Sequence, residues 1–129
     1  MKILLDTNVL LSAFISKGYS AEVVEDAFYR HSLFYSEYIL NEFKRVAEKK
    51  FKLSDSYVSD VCQFIKKYYT RVKTAPDTEN VCRDANDDQV LADAVFNKIN
   101  LIITGDQDLL ILKEYKNIKI ISPREYWSL

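Results

Sequence analysis

Histidine is almost missing from this chain: His31 is the only one in 129 residues. Histidine pairs for acid–base chemistry and imidazole-rich zinc sites are thereby excluded, unless His31 works alone. Following Arg30 at an expected helix end, His31 reads as a surface or capping residue. Cysteine is scarce too. Cys62 and Cys82 do not stand at metal-ligand spacing, and with no sign of export they are expected as reduced thiols in a cytoplasmic protein. Long apolar runs are lacking: none approaches the roughly 20 residues of a membrane span, so no membrane partner is expected. The first residues carry one lysine and no small-residue cleavage site, and Asp6 interrupts their apolar run, so no signal peptide is expected. Repeats, linkers and low-complexity segments are absent, and the length fits one domain over residues 1–129.

A strong net charge is lacking as well; the total is −1. Its distribution is uneven. Residues 44–73 hold nine Lys/Arg against Glu48, Asp55 and Asp60, a local charge of +6, which leaves −7 elsewhere. The basic stretch is either a pair of solvated helix faces or a face for a polyanion. Lys44, Arg45, Lys49 and Lys50 are its candidate contacts for such a polyanion.

What is present is organised around the first fourteen residues. Ile3-Leu4-Leu5 is a short unbroken apolar run, the mark of a central strand in a buried parallel sheet. It stops at Asp6-Thr7-Asn8, and an apolar pattern at helical spacing follows. Asp6 therefore stands at the carboxyl end of a central strand, where open α/β sheets bind ligands. A carboxylate there either caps the helix or binds a cation. Gly18 is expected to end this helix and Ser20 to cap the next. Leu33-Phe34-Tyr35 reads as a strand, and Ser36 caps a third helix in which Glu42 borders the buried stripe. Ser54 opens a fourth helix, Arg71–Lys73 is an edge strand, and residues 75–83 form a polar connection. Asn86 or Asp87 starts a helix with Val90, Leu91, Ala94, Val95 and Ile99 on its apolar face. Leu101-Ile102-Ile103 is a second unbroken strand, ending at Thr104-Gly105-Asp106. A short helix from about Gln107 to Leu112, a strand over 118–121 and a capping box at Ser122–Glu125 close the chain.

Strands alternate with helices, which predicts a three-layer α/β/α sandwich with a mostly parallel central sheet. The two most apolar strands, 3–5 and 101–103, should be neighbours at its centre, each ending in an acid. Asp6 and Asp106 would then share an edge with Asp87 and Asp88, with Glu42, and with Asp84 and Asp108. Each has an innocent alternative: Asp87 and Asp88 suit a helix dipole, Asp108 can cap the short helix, and Glu42 can pair with Arg45 or Lys49. Gathered without cations, these acids would raise one another's pKa values. An all-oxygen set without His or Cys fits Mg²⁺ or Mn²⁺. Such ions suit phosphodiester hydrolysis by polarising the phosphoryl oxygen, activating water and stabilising the leaving oxygen.

The segments LLDTNVLLSAF, SEYILNEF, CRDANDDQVLADAV, LIITGDQDLL and ISPREY together resemble the PIN-domain nuclease family, over essentially the whole chain. The likeness is greatest to its compact prokaryotic group of toxin–antitoxin toxin components (VapC-like). The resemblance implies Asp6, Glu42, Asp87 and Asp106 as an acidic quartet holding Mg²⁺ or Mn²⁺, with Thr7, Asn8 and Thr104 orienting the carboxylates. Asp88 stays open as an alternative to Asp87, and Asp108 as a supplement to Asp106. It further implies metal-dependent endonuclease activity on single-stranded RNA and an antitoxin protein partner. The nine tyrosines and apolar helix stripes allow a homodimer. A haloacid-dehalogenase-type phosphatase would need a second aspartate where Asn8 stands, and a phospho-receiver domain would need an acidic pair on the first strand. The remaining rival is a catalytically inactive PIN-fold domain that binds nucleic acid or protein.

Overall fold

A computed structural model describes residues 1–129. Six strands form one sheet: β1 (Lys2–Leu5), β2 (Ser32–Tyr35), β3 (Thr70–Arg71), β4 (Leu101–Ile103), β5 (Glu114–Tyr115) and β6 (Ile118–Ile121). Their order across the sheet is β3-β2-β1-β4-β6-β5, parallel except for the β5–β6 pair. Six helices accompany it: α1 (Thr7–Leu11), α2 (Tyr19–Arg30), α3 (Glu37–Lys49), α4 (Asp55–Tyr68), α5 (Ala85–Phe96) and α6 (Gln107–Leu110). No helix is long and apolar enough to cross a membrane.

The expected three-layer architecture is found, and the two unbroken apolar runs lie side by side. β1 pairs with β4 in the register Leu4↔Ile102, and Ile3, Leu4, Leu5, Ile102 and Ile103 are fully buried. Burial on both faces is why these strands carry no polar alternation. From β1 the chain winds outward through β2 and β3; it then returns to β4 and winds the other way to β6. The reversal opens a crevice at the carboxyl ends of β1 and β4, the place where such sheets hold ligands.

Several local expectations are corrected. The first helix ends not at Gly18 but through a π turn (Ser12–Ser16) capped by Lys17 in the left-handed region at φ 50°. The next helix starts at Tyr19 with Gly18 as its cap; Ser20, expected to cap it, is buried inside the first turn. α5 begins before Asn86, at Ala85, because the Asp84 side chain accepts the Asn86 N–H at 2.9 Å. The edge strand is Thr70–Arg71 rather than 71–73, and α6 stops at Leu110. β5, too short to leave a sequence pattern, was not expected. Ser36 and Ser54 cap their helices as read, accepting Ile39 N–H at 3.0 Å and Tyr57 N–H at 3.2 Å.

The connection between β3 and α5 is fastened by two buried aspartates of α5. Asp93 accepts Ala75 N–H at 2.7 Å, and Asp88 accepts the N–H groups of Val81 and Cys82 at 3.0 and 2.8 Å. These carboxylates do for an irregular segment what a ladder does for a strand.

Candidate active site

At the crevice the chain turns sharply from β1 into α1, and Asp6 sits at the turn, 6% exposed. Its carboxylate is held from three sides. Oδ1 accepts Thr7 N–H at 2.9 Å, so Asp6 does cap the helix. Oδ2 accepts the Thr104 hydroxyl at 2.7 Å and, more weakly, Asn8 Nδ2 at 3.4 Å. Thr104 is itself fully buried, and its hydroxyl also accepts Asp106 N–H at 3.0 Å. Asn8 Oδ1 accepts Gly105 N–H at 2.7 Å, and a Cβ on Gly105 would lie 3.2 Å from that oxygen. Glycine at 105 thus lets the β4 end close against the β1 end, which joins the two strand termini into one rigid floor.

The walls come from other elements. Glu42 projects from α3; the Tyr38 hydroxyl, one helical turn earlier, donates to it at 2.9 Å, and Arg45 stands 3.6 Å away, largely exposed. Burial and the Glu42 carboxylate push the Tyr38 phenol well above its ordinary value, so it remains a donor. Asp87 enters from the first turn of α5. Asp106 caps α6 by accepting Asp108 N–H at 2.9 Å. Asp6, Glu42, Asp87 and Asp106 line one pocket of about 200 Å³ together with Thr7, Asn8, Tyr38 and Asp84. The carboxylate oxygens of Asp87, Asp106 and Asp108 lie within 4.8 Å of one another.

Electrostatics follow from this crowding. Burial raises the Asp6 pKa above the ordinary carboxylate value, and Glu42 and Asp106 push it the same way, against its hydrogen bonds. Asp87 is pushed up to about 7, first by burial, then by the charges of Asp106, Asp6 and Asp84. One further observation points to a missing partner: Thr7 Oγ1 is buried with no hydrogen bond from any protein group. An orphaned oxygen beside mutually repelling carboxylates is the arrangement a divalent cation would satisfy, and all-oxygen donors fit Mg²⁺ or Mn²⁺.

The other sequence candidates fall elsewhere. Asp88, weighed as a ligand, has its carboxylate at the Val81–Cys82 backbone and does not line the pocket. Successive helix residues point about 100° apart, so one of two adjacent acids must leave the site. Asp108 is the exception: it is not the cap of α6, it stays clustered with Asp87 and Asp106, and it pairs with Arg83 at 2.6 Å. Of the basic candidates, only Arg45 reaches the pocket wall. Lys44 lines a different cavity, and Lys49 and Lys50 are exposed at the far end of α3. Asp84, counted among the acids at this edge, does line the pocket. Tyr38 escaped the sequence reading; its only signal was its i, i+4 spacing to Glu42.

The separation of Asp88 from the pocket has a measurable consequence. Asp88→Ala leaves two N–H groups without their charged acceptor. It is expected to cost about 2–4 kcal/mol of stability in urea unfolding while leaving divalent-metal affinity within twofold of wild type at equal folded fraction. A large loss of metal affinity would return Asp88 to the site.

A family model described as PIN domain matches residues 2–108. Among solved structures the chain is similar to the crystal structure of VapBC2 from Rickettsia felis bound to a DNA fragment from their promoter. The TM-score is 0.66 at 16% identity, covering 95% of this chain and 98% of that one. At that identity the likeness concerns the fold. No curated protein sequence matches.

Proposed function

This chain belongs to the PIN-domain family, and from that premise we propose that residues 1–129 are a single nuclease domain that hydrolyses phosphodiester bonds of single-stranded RNA with Mg²⁺ or Mn²⁺. The observation that carries the reading is the pocket itself: the five carboxylates of Asp6, Glu42, Asp84, Asp87 and Asp106 converge from four separate segments with no lysine among them and with the buried Thr7 hydroxyl unpaired. Asp6, Glu42, Asp87 and Asp106 would hold the ion, with Asp108 adjoining Asp106. Bound there, the ion supplies positive charge to the phosphoryl oxygen, lowers the pKa of water and stabilises the leaving oxygen.

The chain's own groups supply position. Thr104 and Thr7 N–H fix both Asp6 oxygens, Tyr38 fixes Glu42, and the α6 cap fixes Asp106. With its pKa near 7, Asp87 is partly protonated at neutral pH until a cation enters. The reading extends to a toxin role with an antitoxin protein as partner; its support is the fold shared with a protein from a VapBC complex. A homodimer is compatible with the exposed aromatic residues of α2 and α4.

The test offers the purified protein labelled single-stranded RNA, duplex RNA and single-stranded DNA, each with Mn²⁺, Mg²⁺ or EDTA. Single-stranded RNA should be cut with either metal and spared in EDTA. Cutting that persists in EDTA, or RNA left intact with both metals, would remove the proposal.

A further inference from the structure

The basic residues of α3 and α4 are regrouped by the fold into a second polar cavity. It is a groove of about 470 Å³ between α3 and α4, and Lys44, Lys66 and Arg71 all line it. None of these three cations has a carboxylate within ion-pairing distance, although four other ion pairs form in the protein. Glu37 is the sole acid on the lining, so the groove carries about +2. Its floor includes Tyr35, a buried ring whose hydroxyl has no protein partner yet reaches solvent. Three unpaired cations and a free phenolic donor around one concavity make a site for an oxyanion.

Its placement names the oxyanion. Tyr35 and Arg71 are register partners at the carboxyl ends of β2 and β3. The groove therefore opens on the same edge of the sheet as the Asp6–Asp106 pocket. Helix α3 is the wall between them. Glu42 and Lys44, two residues apart, point about 200° apart around it, one into each concavity. The two sites thus lie on opposite sides of one helix, a cylinder about 10 Å across. An extended strand with its scissile phosphate at the acids must cross this wall or leave in the other direction, and the cations lie on this side.

We propose that the Lys44–Lys66–Arg71 groove binds backbone phosphates of the same single-stranded RNA, a few nucleotides from the bond cut in the acidic pocket. The proposal rests on the nuclease reading for its ligand. It replaces the Lys44, Arg45, Lys49, Lys50 stripe by a set the fold brings together. Phosphate contacts release counterions, so each contributes to the salt dependence of affinity.

The experiment measures binding of a fluorescent oligouridylate in EDTA, where cleavage is not expected, across a salt series. The double variant K66E/R71E should bind at least about tenfold more weakly at 0.1 M salt, with the slope of log affinity against log salt smaller by about 1.4 for two lost contacts. K66Q/R71Q should fall between it and wild type. The control, K2E/K119E, makes the same charge change near the amino ends of β1 and β6, on the opposite edge of the sheet. It should lose much less. All four substituted side chains are exposed, so melting curves should match wild type. Equal losses in both double variants, no loss in K66E/R71E, or no oligouridylate binding by wild type would each overturn the proposal. The two readings fail separately. Metal-dependent cutting with unchanged KM in K66E/R71E removes only the groove. RNA binding that needs the groove, in a protein that cuts no RNA with metal, removes only the nuclease.

Discussion

Asp6→Asn is expected to abolish metal-dependent RNA cleavage, by about a hundredfold or more, in a protein that still folds. The two halves of that expectation come from the same contacts. Asparagine keeps one oxygen to accept Thr7 N–H, and its amide can donate to the one lone pair of the Thr104 hydroxyl that Asp106 N–H leaves open. The α1 cap and the β1–β4 closure therefore survive, while the negative charge that would hold the ion is gone. Thr104→Val probes the same point from behind. It strips the hydroxyl that bridges Asp6 Oδ2 and Asp106 N–H. That should lower metal affinity and cleavage together by about ten- to a hundredfold, with metal in excess restoring part of the rate. Titrating Mn²⁺ in a cleavage assay of both variants checks this. Full activity in Asp6→Asn would sink the assignment of Asp6, and with it the metal mechanism.

The second large effect is thermal. Five carboxylates in one pocket repel one another without a cation, and only the folded chain assembles them. At a hundredfold excess over Kd, Mg²⁺ or Mn²⁺ should stabilise the fold by about 2.7 kcal/mol, which for a domain of this size raises Tm by roughly 10 °C. Asp106→Asn removes one repelling charge yet retains an oxygen for the Asp108 N–H that caps α6. The metal-free variant should melt at or above metal-free wild type and gain less from metal. The pH dependence has a definite sign. Asp87 has its folded pKa raised to about 7, so the folded state binds more protons than the unfolded state between the ordinary aspartate pKa and 7. Metal-free stability from this group is highest below that ordinary value and is lost as pH rises through about 7. Metal binding needs the deprotonated carboxylate, so the gain from metal should grow over the same interval. Melting curves at pH 5.5 and 8, with EDTA and with Mn²⁺, contain all these comparisons. A wild type indifferent to metal at pH 8 would speak against the clustered-acid site.

The parts legible in the sequence were those fixed by local chemistry. Ile3–Leu5 and Leu101–Ile103 announce themselves because a strand buried on both faces has no room for polar residues, and the acids that end them locate the crevice. Ser36 and Ser54 mark helix starts because a hydroxyl cap works within three residues. Where several residues competed for one role, the sequence could not arbitrate. Asn86 and Asp87 both suit a helix start, and the backbone geometry gives the cap to neither: Asp84 accepts the Asn86 N–H. Asp87 and Asp88 differ by one step around a helix, yet one opens into the pocket and the other anchors residues 81–82. The basic stretch was visible as a charge count. Its division into Lys44, facing a groove with Lys66 and Arg71, and Lys49 and Lys50, facing solvent, depends on how α3 meets α4. That is a tertiary fact without a local signal.

The hydrogen bond from Thr104 to Asp6 spans 98 positions of sequence. A ribosome makes Asp6 long before β4 (Leu101–Ile103), the strand that seats beside it. Over that interval the nascent chain carries Asp6 without Thr104 or Asp106, and β1 with one edge bare. Long-range parallel pairing is also slow to form. The pocket is therefore born incomplete and closes only once β4 has been made, so whatever chemistry it performs is withheld from the cell until Thr104 and Asp106 are in place.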